Sequence, residues 1–286
     1  IVRTPGVAAQ CPPAAAAAAR VAHARALPLL IALWLSPQCS RDPMLLEATL
    51  DTIDAALTAA RVADSADAAG GLVQVMSSRV LPPVASVLKQ ALTHANTCAQ
   101  AVAQGQAPPA GLPFGLVEST VHMLRKLVVA HAPAVSAAGA SAAGSVVGLA
   151  DPLLAQLQPL CMLVVVTDDH STMQSGSECM RAYARVAESQ IAAAPALLDA
   201  MHRATLRVLD PALADSAALC IGGMATRLLL GLSGRALPQA EQGALLGKVV
   251  ERLLSARMTS LRQSLIFVLA PCRAGQLFAW QCRAAA

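Results

Sequence analysis

The sequence predicts an all-α protein built from paired helices. Of its 286 residues, 56% are hydrophobic and only 13% are charged, which supplies a buried core and excludes a disordered chain. Aromatic residues make up 2%, so β-sheets and base-stacking surfaces lack their usual side chains. Apolar residues recur at steps of three and four, the spacing of a helix face. We therefore expect helices throughout and no direct contact with nucleic acid.

Charge and cysteine content narrow the function classes further. The net charge of +4 falls short of the clustered basicity that binding a phosphate backbone requires. The eight cysteines are scattered without a C-x-x-C pair, which favours free, mostly buried thiols. The longest uncharged stretches, 127–150 and 152–167, are interrupted by proline and polar residues or are too short to span a membrane. We expect no membrane insertion, no metal and no cofactor.

The clearest helix is 43–58. Asp42 is placed to cap its first turn, and Pro43 occupies the first helical position, where a missing N–H costs nothing. One face of this helix is apolar. An acidic line runs beside it with the same spacing, each acidic residue following an apolar one directly in the sequence. The apolar residues are Leu46, Leu50, Ile53 and Leu57, and the acidic ones are Glu47, Asp51 and Asp54.

Four later helices repeat this construction, each with an apolar face. Ser171–Gln174 resembles a capping box for the second of them, and Asp210-Pro211 repeats the Asp-Pro opening for the third. The faces are Val117, Val121, Leu124 and Val128; Gly176, Met180, Tyr183 and Ala187; Ala217, Ile221, Met224 and Leu228; and Met258, Leu261, Leu265 and Val268. A preceding apolar helix is predicted for all five, at 27–35, 80–92, 153–166, 197–209 and 245–254.

The spacing of these pairs predicts a repeat architecture. Second helices begin near residues 43, 115, 172, 211 and 258, and once low-complexity insertions near 96–113 and 132–148 are set aside, the period is about 40 to 47 residues, as in HEAT repeats. We expect an α-solenoid of about five HEAT-type helical hairpins, an armadillo-like superhelix, over residues 26–270. The alternative is a closed helical bundle. Residues 1–25 are expected to be disordered, and 271–286 form an atypical tail.

The sequence lacks the residue constellations that catalysis requires. The segment 243–249 has one residue too few between its glycines for a phosphate-binding loop, and Val249 stands where serine or threonine must meet a metal ion. The six histidines occur singly, without an H-x-x-x-H pair. We therefore expect a protein that binds other proteins and is not an enzyme.

One segment carries a family resemblance. Thr167 to Tyr183, T-D-D-H-S-T-M-Q-S-G-S-E-C-M-R-A-Y, resembles the importin-β (karyopherin-β) family of nuclear transport receptors, in the repeats of their C-terminal half. The resemblance extends in the same order over roughly residues 27–270. The supporting segments are 31–57, 79–90, 115–129, 209–211 and 263–266.

This resemblance implies a receptor for nuclear import. Such receptors bind protein cargo in the cytoplasm, cross the nuclear envelope by contacting nuclear pore proteins, and release cargo in the nucleus on binding the small GTPase Ran with GTP. The implied cargo is basic, such as core histones and ribosomal proteins. Because the family's Ran-binding repeats are N-terminal and absent from this chain, Ran-GTP binding is expected of the full-length receptor.

Charge along the second helices marks the candidate partner-binding residues. Second helices line the concave wall of HEAT arrays, and a charged line there attracts an oppositely charged partner. The alternative is a solvated face with intrahelical pairs worth about 0.2–0.5 kcal/mol each, such as Glu178 with Arg181. A rival function is a HEAT-repeat scaffold or regulatory subunit without transport activity. The candidates are Glu47, Asp51, Asp54, Glu178, Arg181 and Arg185.

Overall fold

A computed structural model describes residues 28–64, 80–112, 115–130 and 151–273, with positions 26, 78 and 149. Within these residues the all-α prediction is confirmed: they contain helices and no β-strand, besides one isolated bridge between Leu232 and Arg235. The predicted disordered segment 1–25, the insertion 132–148 and the tail from residue 274 lie outside them. The chain divides into two compact units, Ile1–Val80 and Leu81–Ala286.

The first unit contains a helical stretch at residues 28–34, α1 (Pro37–Arg41) and α2 (Pro43–Asp64). Asp42 caps α2 as predicted, because its Oδ1 accepts the N–H groups of Met44 and Leu45 at 3.0 and 3.2 Å. The α1 and α2 helices pack together. The buried described residues of this unit are Ile31, Trp34, Cys39, Thr49, Ile53 and Val80.

The second unit contains the remaining helices. They are α3 (Leu81–Ala103), α4 (Leu116–Ala130), α5 (Asp151–Leu154), α6 (Leu157–Val166), α7 (His170–Val186), α8 (Glu188–Ala193), α9 (Pro195–Val208), α10 (Asp215–Ala218), α11 (Gly222–Leu230), α12 (Gln239–Ser255) and α13 (Thr259–Arg273).

These helices pack as two rows. In the first row α3, α6, α9 and α12 contact one another in chain order, and in the second row α4, α7, α11 and α13 do the same. Each first-row helix also packs against its partner in the second row: α3 on α4, α6 on α7, α9 on α11 and α12 on α13. The most extensive contacts therefore join helices of one pair or of adjacent pairs.

The predicted apolar faces form the core between the rows. On α7, Met180, Tyr183 and Ala187 are fully buried, and the Tyr183 hydroxyl donates to the Leu153 carbonyl at 2.7 Å. The faces of α4 and α11 are likewise buried, apart from the half-buried Val117. Met258 differs, because it precedes the first turn of α13 and is exposed.

Part of the predicted loop 96–113 is helical. The α3 helix continues to Ala103, beyond the expected end near Leu92. It stops at Gly105, whose φ of 69° lies in the left-handed region that glycine adopts without a Cβ penalty. The loop is therefore shorter than the composition suggests.

Two predicted helix openings are wrong. The α7 helix begins ahead of Ser171, because the Asp169 carboxylate accepts the N–H of Thr172 at 3.0 Å and acts as the cap. Asp210-Pro211 does not open a helix. Asp210 Oδ1 accepts the N–H of Ala212 at 3.0 Å, which stabilises a turn, and the helical residues begin later, at Asp215 and then Gly222.

Candidate partner-binding surface

The acidic line on α2 is accessible to a partner. Glu47 and Asp51 are both exposed and lie four residues apart, on one side of the helix. Asp54 continues the step, but its side chain lies outside the described part of the structure. Two predicted contact residues of the first unit are thus positioned to meet solvent or protein.

On α7, Glu178 is held by other helices. Its Oε2 accepts from Nη1 of Arg125 on α4 at 2.6 Å, and its Oε1 accepts from the Cys220 thiol at 3.1 Å. Burial, followed by the hydrogen bond and charge of Glu178, raises the pKa of Cys220 to about 11. Glu178 therefore pairs with Arg125 on α4 and not with Arg181, its expected intrahelical partner. This ion pair links the α3–α4 pair to the α6–α7 pair.

The other two members of this line differ in exposure. Arg181 is half-buried and its stem lies over α11, since a Cβ placed on Gly223 would lie 3.0 Å from Arg181 Cδ. Arg185 is exposed one turn further on. Of the three α7 candidates, Arg185 is the exposed one, whereas Glu178 and Arg181 are half-buried.

A second ion pair links α7, α8 and α11. Arg227 Nη1 lies 3.3 Å from Glu188 Oε2 and donates to the Ala184 carbonyl at 3.2 Å. Glu188 Oε1 also accepts the N–H of Ser233 at 2.7 Å. Arg227 and Glu188 therefore form contacts between neighbouring helices, as Glu178 does.

A cavity of about 230 Å³ lies between the first two pairs of the second unit. Its polar lining includes Glu118, Asp169 and His94. Burial, and then the charge of Asp169, raises the pKa of Glu118. Burial alone would raise the pKa of Asp169, but hydrogen bonds from Thr172 and Ser171 lower it below the ordinary value. The cavity thus carries a carboxylate that stays ionised at neutral pH.

Sequence reasoning missed two Arg–Asp contacts at equivalent places in adjacent pairs. Near the end of α9, Arg207 Nη2 donates to Asp168 Oδ1 at 2.9 Å, in the turn of the preceding pair. Near the end of α12, Arg252 Nη2 lies 3.1 Å from Asp215 Oδ1, again in the preceding pair. The available signal was an arginine that follows an aspartate by a similar number of residues in both cases, 39 for Arg207 and Asp168.

The Arg252 contact is deeply buried. Its side chain is 1% exposed, and its Nη1 donates to the Pro211 carbonyl at 3.2 Å. Within the described residues, Nε and Nη2 have no hydrogen bond of good geometry. The charge of the guanidinium is consequently balanced by Asp215, whose Oδ2 also accepts the N–H groups of Arg257 and Met258 at 2.6 and 2.7 Å.

A buried histidine makes stability depend on pH. His202 on α9 is 5% exposed, its Nδ1 lies 3.5 Å from Glu241 Oε2 on α12, and its Nε2 has no partner among the described residues. Burial lowers the pKa of His202, although the carboxylates of Glu241 and Asp199 partly oppose this. The folded chain therefore binds this proton more weakly than the unfolded chain.

We expect the His202 contribution to destabilise the fold as the pH falls. The loss begins below about 6.5, the ordinary histidine pKa, with a slope of at most about 1.4 kcal/mol per pH unit for one proton. Urea unfolding at pH 7.5, 6.5 and 5.5 measures it. His202→Gln should flatten the profile, whereas the exposed His170→Gln should leave it unchanged. Identical profiles for wild type and His202→Gln would contradict the assignment.

Comparisons with known proteins and a search of the described residues for a metal site or membrane span assign no class to this chain. No protein-family model and no curated protein matches the chain. Among the described residues, no group of histidine, cysteine and acidic side chains is arranged to hold a metal ion. In the same part of the chain, none of the helices combines the length and hydropathy needed to cross a membrane.

Proposed function

We propose that this chain is a section of a nuclear import receptor of the importin-β family, of the importin-9 kind, which binds protein cargo along a stacked array of HEAT-type helical pairs. The observation that carries the proposal is the recurrence of contacts between adjacent pairs at one repeat length. The sequence resemblance then favours a transport receptor among proteins with such arrays.

Hydrogen bonds between adjacent pairs recur with a narrow range of separations. Arg207 and Asp168 are 39 residues apart, Arg252 and Pro211 are 41 apart, and Arg235 and Ala192 are 43 apart. A closed bundle gives no reason for one separation to recur, whereas stacked repeats place equivalent residues side by side. These separations lie at or just below the lower end of the period of about 40 to 47 residues predicted from the sequence, and they support an α-solenoid.

The contact between Arg125 and Glu178 spans a larger separation than these. Arg125 and Glu178 are 53 residues apart, and the segment between them contains 132–148, which composition marks as an insertion. The two residues lie on successive second-row helices, α4 and α7, as repeat partners would. An insertion between repeats lengthens the separation without changing the stacking.

The segment that resembles the receptor family covers most of one helix together with its cap. Thr167 to Tyr183 covers the turn before α7 and most of that helix, including the Asp169 cap and the buried Tyr183. Its outer side carries the candidate contact residue Arg181, and Arg185 follows directly. The resemblance therefore includes both core and surface positions, which supports common ancestry with a receptor repeat.

Cargo binding and Ran sensitivity test the proposal together. A labelled dimer of core histones, titrated with this chain and followed by fluorescence anisotropy, should bind. In the full-length parent receptor, Ran with GTP should release the histones, and Ran with GDP should not. A parent protein that ignores Ran-GTP would be a scaffold or regulatory subunit instead, and the transport proposal would be wrong.

Charge reversal on α2 should weaken binding of a basic cargo. Glu47→Lys, Asp51→Lys and Asp54→Lys together should reduce histone affinity more at low salt than at high salt, because exposed charges are screened within about 10 Å at 0.1 M. We expect a loss of about tenfold or more at low salt. Anisotropy titrations at two salt concentrations measure it.

A matched control reverses acidic residues elsewhere. Asp151→Lys, Asp199→Lys and Glu251→Lys together change three exposed carboxylates, on α5, α9 and α12, and should alter affinity much less. Equal losses for the two variants would indicate a general effect of net charge and would reject the α2 surface as the contact. Unchanged binding of the α2 variant at both salts would reject it as well.

A further inference from the structure

Ion pairs along α7 occupy its acidic side chain and leave two arginines without one. Glu178 accepts from Arg125 on α4 at 2.6 Å, and the next carboxylate of the line, at the start of α8, is paired with α11. Neither Arg181 nor Arg185 takes part in an ion pair within the described residues. The sequence shows this side of α7 as a mixed line of charges, but in the folded chain its unpaired charge is positive.

The carboxylates of the cavity described above lie at the opposite end of α7. Asp169 caps the first turn of the helix, and Arg181 and Arg185 follow it by twelve and sixteen residues, which is about 18 and 24 Å along the helix axis. Exposed charges are screened within about 10 Å at 0.1 M salt. The cavity carboxylates therefore have little effect on the two arginines, and the C-terminal half of α7 presents a local positive charge.

Exposed apolar side chains flank this charge. The α4 and α11 helices pack on either side of α7 in the second row. Val129 on α4 is 44% exposed, and Leu230 on α11 is 50% exposed. Each lies one helical turn beyond an arginine that contacts α7, Arg125 in the first case and Arg227 in the second. The second row therefore presents two guanidinium groups together with apolar side chains.

An acidic peptide fits this arrangement in chemistry and in spacing. Guanidinium groups bind carboxylates through two parallel hydrogen bonds. Arg181 and Arg185 are four residues apart on one side of the helix, which is about 6 Å along its axis. Side chains two residues apart in an extended peptide lie on one side and are about 6.6 Å apart. A peptide with acidic residues at alternate positions therefore places one carboxylate next to each arginine.

We propose that Arg181 and Arg185 form a docking site for an extended acidic segment of a partner protein, whose apolar residues contact Val129 and Leu230. Nucleic acid fits less well, because binding of single strands uses exposed aromatic side chains, and Tyr183, the aromatic residue of α7, is fully buried. This partner has the opposite charge to the histone cargo proposed for α2. The site does not depend on the transport function.

Titration of a labelled peptide with the intact chain tests the site. The probe is a fluorescein-labelled peptide of eight residues in which glutamate and alanine alternate, and binding is followed by fluorescence anisotropy at low salt. We expect it to bind, and Arg181→Gln/Arg185→Gln should weaken it about tenfold, the combined effect of two exposed ion pairs. Any binding of the matching peptide of lysine and alanine should be unaffected by this variant.

A control variant separates this site from net charge. Lys89→Gln/Arg257→Gln removes two exposed cations, on α3 and in the turn before α13, and should change the affinity little. Equal losses for the two variants, or no binding of the glutamate peptide, would overturn the proposal. So would a single-stranded RNA that displaces the peptide and binds more tightly. Circular dichroism confirms that each variant retains its helices, and the separate histone titration distinguishes failure here from failure of the cargo proposal.

Discussion

Asp215→Ala should lower the free energy of unfolding by about 3–5 kcal/mol, because removing one partner of a buried ion pair leaves the other charge uncompensated. Arg252 is 1% exposed, its Nη2 lies 3.1 Å from Asp215 Oδ1, and its Nη1 donates to the Pro211 carbonyl. The substitution also removes the carboxylate that accepts the N–H groups of Arg257 and Met258 before α13. Urea unfolding followed by helical circular dichroism measures the loss.

The Asp215→Ala loss should be concentrated in the α12–α13 pair. Arg252 and Asp215 join the α12–α13 pair to the pair before it, so amide exchange should accelerate in α12 and α13 more than in α6 and α7. The double variant Asp215→Ala/Arg252→Met removes both charges and should recover much of the stability. A double variant no more stable than Asp215→Ala would show that the backbone hydrogen bonds, not the ion pair, carry the effect.

The contrast between Asp42 and Asp210 shows how much of the fold local sequence determines. Both precede proline, and both were expected to cap a helix. Asp42 does so, whereas Asp210 stabilises a turn. After Asp210 the next helical residues begin at Asp215, whose carboxylate accepts the N–H of Arg257, 42 residues further along the chain. The apolar faces and the Asp42 cap were predictable from local sequence, whereas the starts of the helices after Asp169 and Asp210 were not.

On the candidate surface, too, local sequence predicts some features, and contacts between distant residues determine the others. The exposure of Glu47, Asp51 and Arg185 follows from their position beside an apolar face, which the sequence displays. The pairing of Glu178 does not, because sequence favours the partner three residues away, whereas the actual partner is 53 residues away. The burial of Arg252 could not be predicted either, since arginine is rarely buried without a specific partner and its partner, Asp215, lies in the preceding helix pair.

Gly176→Ala should destabilise the chain by about 1–2 kcal/mol, although alanine favours helices more than glycine does. Gly176 lies on the buried face of α7, and a Cβ there would clash with Val164 Cγ2 on α6. Valine has one strongly preferred rotamer in a helix, so its methyl group cannot swing aside. The clash therefore outweighs the gain of about 1 kcal/mol in helix propensity. Urea unfolding again measures the change.

A cycle of variants tests whether this close approach is the cause. Val164→Ala creates space next to residue 176, so Gly176→Ala/Val164→Ala should lose less stability than the sum of the two single changes. Gly247→Ala, on α12, places a Cβ where nothing lies within 4 Å, and it should stabilise the chain by about 0.5–1 kcal/mol. If Gly176→Ala stabilised the chain as Gly247→Ala is expected to, α6 and α7 would not approach as closely as this packing requires, and the core between the two rows would need to be reassigned.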